Sequence, residues 1–387
     1  MREPAEVAGQ STNYAKRLRV LHCVPSMSGG GAERQITYLA GEHVRAGGDI
    51  HVALIHGGAN LPALEASKAS IHRLGVTSNY DPRIVSRLIR LMRHIQPNIV
   101  QCWLTQMEVV GGLAAAVCRL PWVISERASE EAYPRTVKNL LRERIAAFAT
   151  AIVSNSETGD RYWRARTSDR MKRYVIPNGV PLDQIAAAPV ASADEAGVPR
   201  GAAMIIAAGR MVDQKNFETF LRALALIRAP QPVFAICFGE GPLRARLEQL
   251  VVEHRLEDRV RLAGYTADLW ALMKGAAMFV SPSFFEGSPN TVLEAMACGC
   301  PLVVSNIPEH RELLDEDSAM LVDPANPKEL AEAMTTILSD PEGAQRRARA
   351  GRARVERYSF PAIARRYAQV YDDVLRPRTD RVSQVAL

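Results

Sequence analysis

The sequence predicts an α/β protein built from two parallel sheets, each doubly wound with helices on both faces, that enclose a cleft between them. Three observations carry that prediction. The chain has 387 residues, more than the roughly 250–300 at which a single hydrophobic core stops growing, so two domains are expected. Short β-rich apolar runs alternate with longer stretches of helical period, the pattern of a parallel sheet covered on both sides. The alternation breaks over 182–201, a stretch rich in Ala, Pro, Val and Asp with no sustained period, and then restarts.

In the first half, 18–24 reads as a strand and 32–45 as a helix, 50–56 as a strand and 82–94 as a helix. A strand over 99–104 leads into a small-residue helix over 109–118. A strand at 122–125, a basic helix near 136–147 and short strands at 151–154 and 174–176 complete this half. In the second half, strands at 203–208, 233–238, 259–262, 278–280, 302–304 and 319–322 alternate with helices at 216–227, 242–254, 266–274 and 289–297. Helices at 327–338, 341–358 and 361–375 close the chain, each opening at a proline, which a first helical turn tolerates. The domain plan is a disordered N-terminus over 1–16, a first domain over 17–185, a linker over 186–200, a second domain over 201–360 and a flexible tail over 377–387. Ligands of open parallel sheets sit beyond the carboxyl ends of the strands, so the cleft is the expected site.

Composition removes several classes. The chain is 47% hydrophobic and 23% charged, which excludes a disordered chain, a collagen-like chain and a disulfide scaffold. Lys plus Arg is 48 against 42 for Asp plus Glu, a net charge of +6. That mild surplus suits anionic small substrates or an acidic membrane surface as well as nucleic acid. Six cysteines lie in apolar stretches without a CxxC pair and read as small buried hydrophobes of a reducing compartment. The polar first 16 residues lack the apolar core of a signal peptide. No apolar run reaches the roughly 18–20 residues of a spanning helix, and 109–124 is interrupted by Arg119 and Pro121. A cytoplasmic protein whose membrane contact is peripheral is expected. The eight histidines show no ligand spacing and no DxD-like motif follows a strand, so no metal is implied.

The densest segment runs from Ser281 to Ala297, after a strand and into a helix. Ser288 is a plausible cap and Pro289 suits the first helical position, which leaves the amides of Asn290, Thr291 and Val292 free to bind an anion. Glu294 lies four residues beyond Asn290, about one turn and roughly 6 Å deeper on the same face. A carboxylate there would accept hydrogen bonds from vicinal hydroxyls rather than bind phosphate. Glu286, before the helix, stands near the other end of the same ligand. Taken singly, either glutamate reads as a solvated carboxylate; flanking one Gly287-Ser288-Pro289-Asn290 turn, they suit a ligand with hydroxyls at both ends and a diphosphate between.

A second constellation, Gly209 to Asn216, places Arg210 and Lys215 on a loop at the carboxyl edge of the second half's first strand. They are ordinary surface cations or an anion clamp. Gly239 and Gly241 follow the next strand in Phe238-Gly239-Glu240-Gly241-Pro242, either a plain turn or a point of close backbone approach. Tyr265 ends the strand after that. In the first half, Gly30 and Gly31 of the run Ser28 to Arg34 link the first strand to its helix. This is not GxGxxG, and no Asp or Glu follows the second strand, which weakens a dinucleotide reading.

On these residues the chain resembles the retaining GT-B glycosyltransferases, most closely glycosyltransferase family 4. Glu286 and Glu294 match the E-x7-E motif, the string EGSPNTVLEAMACGCPLVVS resembles the family signature, and the likeness runs from about Leu18 to Leu375. The resemblance implies a GT-B fold whose last helix, 361–376, returns to the first domain. It implies that Glu294 binds the nucleotide ribose, that Glu286 meets donor-sugar hydroxyls, and that the amides of Asn290 and Thr291 bind phosphate beside Gly287 and Ser288. Arg210 and Lys215 match the G-R-x3-x-K pattern that clamps the donor diphosphate; with Glu286 they are the implied catalytic residues. Gly239 and Gly241 resemble the turn beneath the nucleotide, and Tyr265 the position flanking the base. Gly30 and Gly31 resemble the GGxE loop that approaches the phosphate or the acceptor. Two departures stand out: Gln101 to Gln106 replace the histidines common after the fourth strand, and Arg127 stands where many members carry a cleft-facing His. The cations and apolar residues of 134–144 resemble surfaces that members acting on lipid-linked acceptors set against anionic lipid.

The expectation is a retaining transferase of the hexosyl type, independent of metal and cofactor. It would move a sugar from a nucleotide diphosphate sugar, with UDP-sugar favoured, to a glycan or lipid-linked acceptor in surface polysaccharide or glycolipid assembly. No nucleic acid is implied, and the oligomeric state is left open. The alternative is a nucleotide-sugar-binding subunit that has lost transfer, against which Glu286, Glu294, Arg210 and Lys215 stand.

Overall fold

The computed structural model describes residues 18–133 and 136–376. The tails expected at 1–16 and 377–387, together with Pro134 and Arg135, lie outside the described residues.

The first sheet has seven parallel strands: β1 Arg19–Ser26, β2 Asp49–His56, β3 Ser70–Arg73, β4 Ile99–Trp103, β5 Trp122–Glu126, β6 Ala151–Ser154 and β7 Lys172–Val175, in the order β3-β2-β1-β4-β5-β6-β7. The second has six: β8 Ala203–Ala208, β9 Val233–Phe238, β10 Val260–Gly264, β11 Met278–Ser281, β12 Leu302–Ser305 and β13 Met320–Val322, in the order β10-β9-β8-β11-β12-β13. Each chain half starts at a central strand, builds outward on one side and then crosses to the other. That reversal opens a crevice at the carboxyl ends of β1 and β4 in one sheet and of β8 and β11 in the other. The loops carrying the two densest motifs, after β8 and after β11, are brought together by this topology.

Central strands such as Ile99–Trp103 and Val233–Phe238 are buried along their whole length, as strands covered on both faces must be. Cys23, Cys102, Cys237, Cys298 and Cys300 are buried free thiols and Cys118 is half-buried. The last helix, Phe360–Leu375, carries Ile363, Tyr367, Val370, Tyr371 and Val374 into the core of the first sheet, beside Ile36, Leu39 and Trp103. The Tyr371 hydroxyl donates to Gln101 Oε1 on β4 and Lys172 Nζ donates to the Asp373 carbonyl, 2.7 Å away.

Several elements differ from the sequence reading. Strand β3 was not expected, because Ser-Ile-His-Arg at a sheet edge carries no apolar run. The helix Glu157–Arg164 was not expected either; Ser156 Oγ caps it by accepting the Gly159 N–H at 3.2 Å. Residues 182–201 hold a short helix, Leu182–Ala187. The small-residue helix begins at Leu104, directly at the end of β4, because Leu104 takes a left-handed φ of 65° and turns the chain without a loop.

Candidate active site in the interdomain cleft

The loops after β8 and β11 are stitched into one surface. Gln214 Nε2 donates to the Phe285 carbonyl at 2.9 Å, and the Phe284 N–H returns a bond to the Gln214 carbonyl at 2.9 Å. Asn216, at φ 53°, donates through Nδ2 to the carbonyls of Pro282 (2.9 Å) and Pro324 (2.7 Å). Asn tolerates this left-handed conformation better than most residues. Sequence reading passed over Asn216, yet it locks the two loops in register.

On that surface Lys215 Nζ lies 2.6 Å from Glu286 Oε1, which also accepts from Ser283 Oγ at 2.7 Å. Glu286 is only 5% exposed. Burial pushes its carboxyl up, but the Lys215 charge, the Lys215 hydrogen bond and the Ser283 hydroxyl together hold it below the usual carboxylate range. His310, also missed by sequence reading, is wholly buried and within electrostatic range of Glu286. Its Nδ1 pairs with the Ser305 carbonyl at 2.8 Å, so Nδ1 carries the proton. Burial lowers its pKa to about 4 against the pull of Glu286, so the ring is neutral.

Arg210 is exposed and has no ion-pair partner among the described residues. Its loop runs alongside the turn after β9: the Gly209 N–H bonds the Phe238 carbonyl at 3.0 Å and the Met211 N–H the Glu240 carbonyl at 2.9 Å. Gly239 and Gly241 make that approach possible. A Cβ on Gly239, at φ 131°, would sit 1.9 Å from the Gly209 carbonyl oxygen, and one on Gly241 2.3 Å from that of Met211. Tyr265 is 83% exposed.

The helix after the Glu286 loop spans Asn290–Cys298. The Leu293 N–H bonds the Pro289 carbonyl at 3.1 Å, so the amides of Asn290, Thr291 and Val292 precede the first intrahelical bond and form an anion-binding end. Two details correct the sequence reading. Pro289 rather than Ser288 is the N-cap residue, so the helix begins one residue later than expected, and no side chain caps it. Ser288 Oγ instead accepts the N–H of Asn178, in the turn Pro177-Asn178-Gly179, at 3.0 Å. Asn290 likewise spends its side-chain oxygen on Asn178 Nδ2 (2.8 Å) and Gln35 Nε2 (3.1 Å).

Glu294, 3% exposed, follows one turn deeper and is paired with Arg34 of the first half, while its Oε2 is buried and unpartnered. Burial lowers the Arg34 pKa, but Glu294 more than offsets it and holds the guanidinium above its usual value.

The opposite wall comes from the first sheet. Gly30 precedes the helix Gly31–Arg45 in extended backbone, where a Cβ would sit 2.2 Å from Glu33 Oε2. Gly31 faces the second half, where a Cβ would come 2.7 Å from Asn290 Nδ2. Arg127 is not a free cleft cation. Its guanidinium stacks 4.4 Å over Trp103, donates to Asn178 Oδ1 at 3.1 Å and bonds the Tyr367 hydroxyl of the last helix. The Arg127 carbonyl backs onto Gly287, where a Cβ would come within 2.5 Å of it. Beneath it, the buried Glu126 carboxylate accepts the Arg127 and Ala128 N–H groups (2.8 and 3.0 Å), the Tyr133 hydroxyl (2.5 Å), Trp163 Nε1 (2.9 Å) and Arg142 Nη2 (2.5 Å).

Arg142 therefore leaves the basic helix, Val137–Ala146, and turns inward to Glu126 and Glu108. Burial pushes Glu108 up to about 7 against the pull of Arg142. The same helix keeps Lys138 and Arg144 exposed beside Val137, Leu140, Leu141 and the following Phe148. Among the described residues no cluster of His, Cys, Asp and Glu is placed to hold a metal ion.

Comparison with known proteins adds to this geometry. The model of the glycosyl transferases group 1 matches residues 192–354, and that of glycosyltransferase family 4 matches residues 29–184. The UDP-Gal:alpha-D-GlcNAc-diphosphoundecaprenol alpha-1,3-galactosyltransferase of Escherichia coli is 30% identical over 243 residues, 59% of this chain and 62% of that protein. The lipopolysaccharide core biosynthesis glycosyltransferase LpsD of Rhizobium meliloti is 30% identical over 188 residues, 48% of this chain and 54% of that protein. The matches thus span less than two thirds of these relatives' length. Among solved structures, Anabaena HepE in complex with UDP-glucose aligns with a TM-score of 0.81 at 22% identity, over 92% of this chain and 99% of that chain. The fold is GT-B, two Rossmann-like domains facing across a cleft.

Proposed function

We propose that this chain, which belongs to the group 1, family 4 glycosyltransferases, is a retaining transferase that moves a sugar from a UDP-sugar to a hydroxyl of a glycan or lipid-linked acceptor. The observation that carries this reading is the joined surface of the β8 and β11 loops. It pairs Lys215 with Glu286, on the loops that also carry the unpaired Arg210 and lead into the free helix amides of residues 290–292, with Glu294 one turn further on.

In this reading residues 201–360 bind the donor. Residues 17–185, with the helix 361–376, bind the acceptor, and 186–200 connect the two. Glu294 receives the ribose hydroxyls, Tyr265 flanks the base, and the 290–292 amides and Arg210 receive the diphosphate. Because Ser288 and Asn290 spend their side chains on Asn178, their part in donor binding is through the backbone. Gly287, Gly239 and Gly241 let the surrounding loops close up. Glu286 meets sugar hydroxyls as a carboxylate that Lys215 keeps ionised. As the bond from the anomeric carbon to the diphosphate oxygen breaks, negative charge grows on that oxygen, and Arg210 and Lys215 stabilise it more than the ground state. The acceptor oxygen bonds to the same face of the anomeric carbon, and its proton passes to the departing phosphate. Gly30, Gly31 and Arg127 line the acceptor side.

The Escherichia coli relative acts on a diphosphoundecaprenol-linked sugar. A lipid-linked acceptor here, in surface polysaccharide or glycolipid assembly at the cytoplasmic membrane face, is supported by exposed Val137, Leu140, Leu141 and Phe148 beside Lys138 and Arg144. No helix among the described residues is long and apolar enough to cross a membrane. The test is transfer of radiolabelled sugar from a panel of UDP-hexoses to membrane extract. Label in product supports the reading. UDP binding with neither transfer nor donor hydrolysis would point to a binding subunit.

A further inference from the structure

The proposed donor site includes a residue that the family resemblance does not supply. Arg34 belongs to the first half, three residues into the helix Gly31–Arg45, yet its guanidinium pairs with Glu294 of the second half, 260 positions away in sequence. The pair is asymmetric: the Glu294 side chain is almost wholly buried, while that of Arg34 is 31% exposed. Among the described residues Arg34 bonds Glu294 Oε1 alone, through Nη2, which leaves the rest of its planar fork uncommitted there, and Glu294 Oε2 has no donor. Tyr38 of the first half and Tyr265 of the second also lie within electrostatic range of Arg34. The neighbouring Gln35 pairs with Gly179 of its own half and donates across to Asn290 Oδ1 at 3.1 Å.

We propose that Arg34 is a positioning residue of the donor site, supplied across the cleft: it fixes Glu294 for the vicinal hydroxyls of a nucleoside diphosphate and ties occupancy of that site to closure of the two halves. This rests on the functional reading above. A lone buried carboxylate is costly, so with the halves apart Glu294 needs water, and with them together it needs Arg34. Vicinal hydroxyls arriving at Oε2 add a second partner that is best placed when Arg34 already holds Oε1. Nucleoside binding and closure therefore favour each other, which is a coupling between two events through one carboxylate.

The test uses the full chain, with UDP as the probe in calorimetric titration and small-angle scattering as the closure readout. Arg34→Met is expected to weaken UDP about tenfold, a common size for such coupling, and to enlarge the nucleotide-free radius of gyration. Arg34→Lys should recover part of the affinity. In a Glu294→Gln background, Arg34→Met should add little further loss. Equal UDP affinity in the parent and Arg34→Met proteins would overturn the inference and leave the transferase reading standing. Tighter UDP binding by Arg34→Met would overturn it too, because Arg34 would then obstruct the site. Fully additive losses would reduce Arg34 to independent packing and overturn the coupling. A parent protein that binds no UDP would remove the functional reading and this inference together.

Discussion

Lys215 Nζ and Glu286 Oε1 lie 2.6 Å apart in the cleft, and the pair joins the two loops that carry the densest motifs of the sequence. The glutamate is buried, so its charge depends on that lysine. Lys215→Met should therefore act twice, lowering kcat by about 10²-fold through lost stabilisation of the leaving group and releasing the Glu286 carboxyl upward in pKa. Because the folded-state pKa of Glu286 is depressed, its contribution to stability is complete above the ordinary value of 4.5 and is lost as pH falls through the lower folded value. The gap in Tm between parent and variant should be widest near neutrality and shrink below pH 4.5; a pH-independent gap would contradict this assignment.

Arg210 offers a cleaner kinetic probe, since it is exposed and pairs with no acidic group among the described residues. Arg210→Ala should reduce kcat by about 10²-fold while leaving Tm unchanged. Steady-state kinetics beside a thermal melt checks both halves of the statement. Full activity would remove Arg210 from the site.

Glu312 crosses between the halves, accepting the N–H of Glu157 at 3.0 Å, and burial raises its pKa to about 7. A raised carboxyl means the folded protein holds a proton that the unfolded chain has released, so stability falls as pH climbs from 4.5 to about 7. Glu312→Gln should flatten that part of the Tm–pH curve and make the variant the more stable form at pH 8. An unaltered slope would show that Glu312 does not titrate there.

The exposed face of the helix Val137–Ala146 predicts sedimentation with anionic vesicles and not with neutral ones. Leu141→Asp combined with Phe148→Ser should abolish it without lowering Tm, because both side chains are exposed. Equal sedimentation of parent and variant would refute the membrane assignment.

Tyr371 is buried in the last helix, donates to Gln101 and packs 6.2 Å from Tyr367. Tyr371→Ala should cost about 3–5 kcal/mol, as large aromatic deletions in a core do, measured by urea unfolding. A loss below about 1 kcal/mol would mean that this helix only rests against the first sheet.

The sequence alone determined a good deal. Strand runs such as Val233–Phe238 are apolar throughout because both faces are covered, and that pattern is local. The four-residue spacing of Asn290 and Glu294 also placed that carboxylate one helical turn past the Asn290 amide, since helix geometry follows from residue count. Where the local signal was weak, as in the four-residue edge strand Ser70–Arg73, reading failed.

Tertiary structure decided which partner each polar group meets. Arg142 lies in a run of interleaved cations and apolar residues that reads as a surface face, yet it turns inward to two buried glutamates, whereas the helix's other described cations, Lys138 and Arg144, face solvent. Ser288 caps no helix and pairs instead with Asn178, 110 positions away, and Arg34 finds Glu294 across the cleft. Periodicity reports whether a position is buried within its own element. A charge's partner is chosen by whichever group the packed halves bring within about 3 Å of it, a distance that chain position does not encode.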